Sequence, residues 1–209
     1  MKKSRRKIRK RWPLWEKTPG DASAWQKKGL SLYYSGRFDE ALDSFENAVE
    51  LDPEHTDAWL YRAACLIDLG RLDEALECAE KAVELNPYNG QAWSLKGACL
   101  YDLERFDEAL PCFDWALDLD QHNTDAQVIR GACLVNLDRV EEGLQCCEKA
   151  LDFDVEHALG WYIKAAAEEQ LGRFEDAALS FRHFINLAPG KYAAQVESAY
   201  QALQELEGQ

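Results

Sequence analysis

The sequence predicts an all-α solenoid of helix-turn-helix units, and three residue series spaced 34 apart predict it. Trp25, Trp59 and Trp93 form the first series, which resumes at Trp161. Ala41, Ala75, Ala109, Gly143 and Ala177 form the second. Phe45, Ala79, Phe113, Cys147 and Phe181 form the third. A period of this length marks a supersecondary unit that cannot bury its apolar side alone, so units stack and share one core. Such a stack is ordinarily a surface that holds other molecules rather than a site of chemistry.

The units start at Ala22, Thr56, Gly90, Thr124 and Ala158, and each reads as helix A, a short turn and helix B. Gly36, Gly70 and Gly172 open three of the turns, where glycine allows a positive φ just past helix A; Glu104 and Asp138 hold the same slot in units three and four. Acid pairs such as Asp39-Glu40 follow, placed to cap free N–H groups and to face the positive end of the helix B dipole. Pro53, Pro87 and Pro189 stop helix B. Pro111 lies about one turn inside the third helix B, where its missing N–H costs little and a local distortion is expected. Small residues at unit positions 8, 20 and 27 let the two helices approach, while Trp at 4 and the residue at 24 fill the remaining space. After the last unit, Tyr192, Val196, Ala199, Tyr200, Leu203 and Leu206 fall at helical spacing opposite Gln195, Glu197, Gln201 and Glu205, the pattern of a solubilising capping helix. The expected division is a basic, flexible arm over 1–21, five repeats over 22–189, and a capping helix with tail over 190–209.

With five copies in register, the chain resembles the tetratricopeptide repeat family. The family pattern falls on Trp25, Gly29, Ala41, Phe45, Ala48 and Pro53 in unit one, and on Trp59, Ala63, Ala75, Ala79, Ala82 and Pro87 in unit two. Unit three supplies Trp93, Gly97, Ala109, Phe113 and Ala116; unit five supplies Trp161, Ala165, Ala177, Phe181 and Pro189. Unit four is worn, with Gln127 for Trp, Gly143 for Ala, Cys147 for Phe and Val155 for Pro. The resemblance implies a right-handed solenoid whose concave groove is lined by helix A, and a role in protein–protein interaction. One departure recurs: position 7, where the general pattern has Leu, is Lys28, Arg62, Lys96, Arg130 and Lys164. Helical geometry puts these bases opposite the groove face, so each is expected to run its stem along apolar surface and pair with an acid of a neighbouring helix.

The groove face follows from the same geometry as positions 2, 5, 6, 9, 12 and 13 of helix A. Its candidate binding residues are Tyr33, Tyr34, Leu60, Tyr61, Ala64, Leu95, Tyr101, Val128, Ile129, Tyr162 and Ile163, with acids toward the rim. Some family members clamp a partner's C-terminal carboxylate with bases at positions 2, 5, 6 and 9; here Lys27 is the sole base on those positions, so that mode is not expected. An apolar groove with an acidic rim suits an apolar or amphipathic protein or peptide segment bearing basic residues. The competing reading is that these side chains fill the groove themselves or receive the protein's own arm.

Charge divides the chain sharply. Residues 1–20 hold nine Lys/Arg against Glu16 alone, a net +8, whereas the rest holds 15 Lys/Arg against 37 acids, a net −22. Lys2–Arg11, followed by Trp12 and Trp15, leaves four readings: a solvated tail, a segment docked on the acidic body, a nucleic-acid contact, or an anionic membrane contact. No apolar stretch follows the bases, so they are not read as a secretion signal, and the chain is expected in the cytoplasm. Exposed repeat ends also leave oligomerisation by end stacking as a reading.

Chemistry finds little support. Cys65, Cys99 and Cys133, and likewise Cys78, Cys112 and Cys146, recur at 34 and read as small core residues, not metal ligands or disulfides. His55, His122 and His157 fall between units and read as exposed turn residues. The sequence carries no metalloprotease helix motif and no phosphate-binding glycine loop, so neither an enzyme nor a cofactor is expected.

Overall fold

The computed structural model describes residues 21–188 and 190–207. The arm residues 1–20, Pro189 and the last two residues, together with the side chains of Lys191, Leu206 and Glu207, lie outside that description. The described part is helical throughout. Ten helices form five hairpins: α1 (Ala22–Tyr33) with α2 (Phe38–Leu51), α3 (Thr56–Asp68) with α4 (Leu72–Leu85), α5 (Gly90–Asp102) with α6 (Phe106–Leu119), α7 (Thr124–Asn136) with α8 (Val140–Phe153), and α9 (Ala158–Gln170) with α10 (Phe174–Leu187). A short 3-10 turn (Gly190–Tyr192) leads into α11 (Ala193–Glu207). The boundaries follow the 34-residue frame, and α6 runs through Pro111 at the same 14-residue length as α2, α4 and α8.

Packing is between neighbours. Each helix A packs on its own helix B, and each helix B on the next helix A. Each helix A also touches the helix A of the following unit, while successive B helices make no comparable contact. The array therefore curves with the A helices on the inside.

The close approach within a unit is set by the small slots. A Cβ on Gly29 would lie 2.7 Å from the Phe45 ring, and one on Gly97 2.8 Å from Phe113. Unit four solves the same problem differently. There both position 8 and position 20 are glycine, and a Cβ on Gly143 would meet Val135 at 2.6 Å and the Gly131 carbonyl at 2.8 Å. The worn unit thus exchanges ring-on-glycine packing for backbone proximity. The turns close as Schellman motifs, with Arg37 N–H on Leu32 O, Arg71 on Leu66, Arg105 on Leu100 and Arg139 on Leu134. Glycine holds the positive φ in units one, two and five, but Glu104 (φ 59°) and Asp138 (φ 62°) hold it in units three and four.

The acids after each turn do not cap backbone N–H groups as expected. The helix B N-caps are Arg37, Arg71, Arg105, Arg139 and Arg173, none with a side-chain cap bond. In four units the second acid pairs with this arginine, for example Arg71 Nη2 with Glu74 Oε2 at 2.6 Å and Arg105 Nε with Glu108 Oε1 at 2.7 Å. The arginine side chain reaches the carboxylate first. At the other end of the array, Ala199 and Leu203 of α11 are buried against Phe181 and Phe184, but Tyr200, assigned to the apolar face, is half-exposed to solvent.

Candidate binding groove

Helix A has two working sides, and the outer one is structural. Trp59 Nε1 donates to Pro53 O at 2.9 Å, Trp93 Nε1 to Pro87 O at 2.8 Å and Trp161 Nε1 to Val155 O at 2.8 Å. The indole thus ties down the turn that joins two units, a bond the sequence pattern does not reveal. The position-7 bases lie over these rings: Lys28 at 4.8 Å from Trp25, Arg62 at 5.3 Å from Trp59, Lys96 at 6.0 Å from Trp93 and Lys164 at 5.5 Å from Trp161. Three of them reach acids on the preceding helix B: Arg62 to Glu46 (3.4 Å), Lys96 to Glu80 (3.2 Å) and Arg130 to Asp114 (2.7 Å). Lys164 instead meets Glu168 on its own helix at 2.5 Å and Ser180 at 3.3 Å, and Glu168 is only 3% exposed. The base ladder is therefore intramolecular, as its helical position predicts.

All seven cysteines are buried and unpaired with one another. Burial pushes the Cys65, Cys99 and Cys133 thiols up to about 12. The same cause raises Cys78 and Cys112 to about 11. Among the described residues no group of three or more metal-ligating side chains forms a metal site. His157 corrects its reading as an exposed turn residue. It is the α9 N-cap: Nδ1 accepts from Gly160 N at 3.1 Å, and Nε2 lies 2.9 Å from Asp125 Oδ1. Its sequence signal was its place beside Asn89 and Asn123, which cap α5 and α7 from the equivalent slot. No described helix is long and apolar enough to cross a membrane.

The inner side holds most of the candidate groove residues. Tyr61, Leu95, Ile129 and Ile163 at position 6, Ala64 at 9, and Tyr33 and Tyr101 at 12 are half-buried along it, as is Tyr162 at position 5. Tyr34 is the most open, at 76% exposure. Two candidates do not belong to the surface: Leu60 is 4% exposed and Val128 fully buried. Position 5 faces the next unit. Leu60 packs with Ala82 and Ala92, and Val128 lies where a Cβ on Gly160 would be 3.3 Å away. Ser94, at the same slot, accepts from Asn123 of the next unit at 3.2 Å.

Packing against helix B orients the groove tyrosines. Tyr33 packs edge-on against Phe38 with centroids 5.4 Å apart, Tyr61 stacks on Phe45 at 5.6 Å, and Tyr101 lies 5.5 Å from Phe106. Their hydroxyls approach neighbours on the inner face. Tyr33 lies near Asp68, and burial together with this carboxylate raises its phenol to about 12. Tyr61 lies near Tyr34, and Tyr101 near Asn136. Position 12 of one unit thus approaches position 13 of the next, as Tyr33 does Asp68 and Tyr101 does Asn136. The step between them is broken, because position 12 of unit two is Ile67. Asp102 therefore has no phenol to accept from, and burial alone holds its carboxyl above the ordinary carboxylate value. The groove presents an aromatic and aliphatic floor with a carboxylate standing beside Tyr101.

Comparison with known proteins agrees with this geometry. Family models for the tetratricopeptide repeat match residues 27–90 and 90–123. No curated protein matches the chain. Among solved structures, TTC0263 of Thermus thermophilus, a thermophilic protein of this repeat type, is 20% identical with a TM-score of 0.73, covering 88% of this chain and 100% of its own. YrrB, described as having an unusual peptide-binding site, is 23% identical with a TM-score of 0.67, covering 88% and 94%. MamA from Desulfovibrio magneticus RS-1 (residue 41 to the end) is 21% identical with a TM-score of 0.71, covering 80% and 96%. At these identities the likeness is one of fold.

Proposed function

The chain belongs to the tetratricopeptide repeat family, and we propose that it is an interaction scaffold whose concave groove holds an apolar or amphipathic peptide bearing basic residues. The observation that carries this reading is the inner face of helix A. Its half-buried Tyr33, Tyr61, Tyr101, Ile129 and Ile163 offer apolar surface in fixed orientation, and Asp68 and Asp102 add negative charge. A partly desolvated carboxylate without a phenol donor gains most from a lysine or arginine brought by the ligand. The description of YrrB as a peptide binder supports the same use of the fold. The position-7 bases, engaged with tryptophans and acids, are not available as an anion clamp.

Affinity capture with mass spectrometry tests the proposal. Full-length protein is compared with the variant Tyr34→Ser/Tyr61→Ser/Ile163→Ser, whose helicity is checked by circular dichroism. Partners held by the groove are lost from the variant; an unchanged set of partners rejects the groove. The alternative, that Lys2–Arg11 brings the chain to nucleic acid or an anionic membrane, predicts capture that collapses between low and physiological salt, whereas groove capture responds weakly.

A further inference from the structure

We propose that the edge of the array formed by the turns joining units two, three and four is a second docking surface, centred on Trp115, for a protein segment whose contact face combines apolar residues with lysine or arginine. The inference stands apart from the groove reading, because this surface lies on helix B and the inter-unit turns rather than on the inner face of helix A. It rests on three observations.

The first is an exposed indole that stacking of the units does not require. Trp115 stands at position 26, where the other units hold Asn47, Lys81, Lys149 and His183. It is 54% exposed. Its ring stacks on Trp93, with centroids 5.9 Å apart and planes inclined by 19°. In unit five His183 stacks on Trp161 in the same way, at 4.4 Å, so a polar ring serves the internal contact as well. Trp93 is itself tied through Nε1 to Pro87 O. The open side of Trp115 is therefore held in one orientation before a partner arrives, and little side-chain freedom is lost on binding.

The second is that apolar exposure gathers around this ring. Leu119, one turn further along α6, is exposed, and its Cβ lies 3.4 Å from where a Cβ on Gly90 would be. Tyr88, two residues before Gly90 in the turn between units two and three, is 84% exposed. The next junction extends the surface. His122 holds the slot of Tyr88 and lies edge-on to Phe153, with centroids 4.9 Å apart, and the exposed Phe153 holds the slot of Leu119. At the first and last junctions the Tyr88 slot is Glu54 and Glu156, so the fold accepts a charge there. Exposed aromatics clustered in this way mark surfaces that meet another protein.

The third is charge. Residues 114–122 and 148–156, which carry most of this surface, hold seven acids and Lys149 as their single Lys or Arg. Lys81 of α4 and Lys96 of α5 are paired with Glu84 and Glu80. A second copy would bring the same negative edge, and an anionic membrane the same sign of charge, so neither complements the surface. A segment with lysine or arginine around an apolar centre does: its bases meet the acids while its apolar residues cover Trp115 and Leu119.

The probe is a set of peptides selected from a random displayed library on full-length Tyr34→Ser/Tyr61→Ser/Ile163→Ser, in which the groove is already disabled, so the result does not bear on the groove. The enriched peptides combine apolar residues with Lys or Arg. In protein with 15N-labelled tryptophan they move the Trp115 indole signal, assigned from Trp115→Phe, and leave that of Trp161 in place. Adding Trp115→Gln, with helicity checked by circular dichroism, weakens their binding at least about tenfold. Binding that Trp115→Gln leaves unchanged overturns the proposal, as does a selection that enriches nothing. So does a Trp115 signal that, without peptide, shifts on dilution or on replacing Lys2, Lys3, Arg5 and Arg6 with Gln, because a second copy or the chain's own arm then holds the surface. A Trp115 signal that moves with phosphatidylcholine vesicles overturns it in favour of a membrane.

Discussion

The outer and inner sides of helix A are built on opposite rules. On the outer side three of the five units repeat one solution: an indole tied to a turn carbonyl, a base over its ring, and a small residue or cysteine beneath the neighbouring helix B. On the inner side the residues change along the array: position 6 runs Lys27, Tyr61, Leu95, Ile129, Ile163, and position 13 runs Tyr34, Asp68, Asp102, Asn136, Gln170. Repetition marks the contacts that every unit must make to stack. Variation marks the surface that stacking leaves free, and it is there that the proposed ligand would be read.

The comparison can be broken first where the outer side departs from its own rule. Lys164 does not pair with Glu148, the acid at the slot that Arg62, Lys96 and Arg130 use, but holds the buried Glu168 with Ser180. Lys164→Met strands that carboxylate and is expected to cost about 3 kcal/mol, read as a lower urea midpoint. Adding Glu168→Leu recovers most of the loss. A lone Lys164→Met at native stability would show that the outer side tolerates an uncompensated charge. Gly97→Ala comes next, at about 2 kcal/mol, because its Cβ meets the buried Phe113 ring at 2.8 Å. Repeat arrays can unfold in stages, so the quantity compared is the midpoint of the segment containing unit three.

The cysteine series gives a pH test. The thiols of Cys65, Cys99 and Cys133 stand near 12 when folded, against an ordinary value of 9.0. A raised acid holds its proton in the native state while the unfolded chain loses it. Its contribution is thus complete below pH 9 and is lost as pH climbs toward 12. Midpoints should fall above pH 9, and replacing the three with Ala should flatten that fall. Thiol reagents at pH 8 should label the folded protein slowly and the unfolded protein at all seven positions. Glu104→Gly and Asp138→Gly are the smallest changes. Each relieves a left-handed backbone and should stabilise by about 1 kcal/mol. A loss of stability at either site would mean that the side chain, not the φ angle, governs that turn.

The helices were legible in the sequence because 34-residue spacing fixes element lengths and small-residue slots together. The outer ladder was legible too, since Lys96 and Arg130 lie on the side of helix A that faces helix B. The groove was legible only in part. A helical wheel gives the angle of Leu60 and Val128 but not the next unit that covers them. Nor does it show that Tyr33 reaches Asp68 while Asp102 goes without a tyrosine, because that depends on the register between successive A helices. The acids of the turns were misassigned because the arginine one turn earlier offers a stronger partner than a backbone N–H.

The claim that the inner face is the ligand surface is tested most directly by selecting peptides from a random displayed library on the full-length protein. The account predicts enriched sequences that combine apolar residues with Lys or Arg, bind the native chain, and fail on Tyr34→Ser/Tyr61→Ser/Ile163→Ser. Asp102→Lys should remove the preference for a basic residue while the apolar requirement stays. Enrichment of acidic peptides, or of sequences that bind the triple variant equally well, would contradict it.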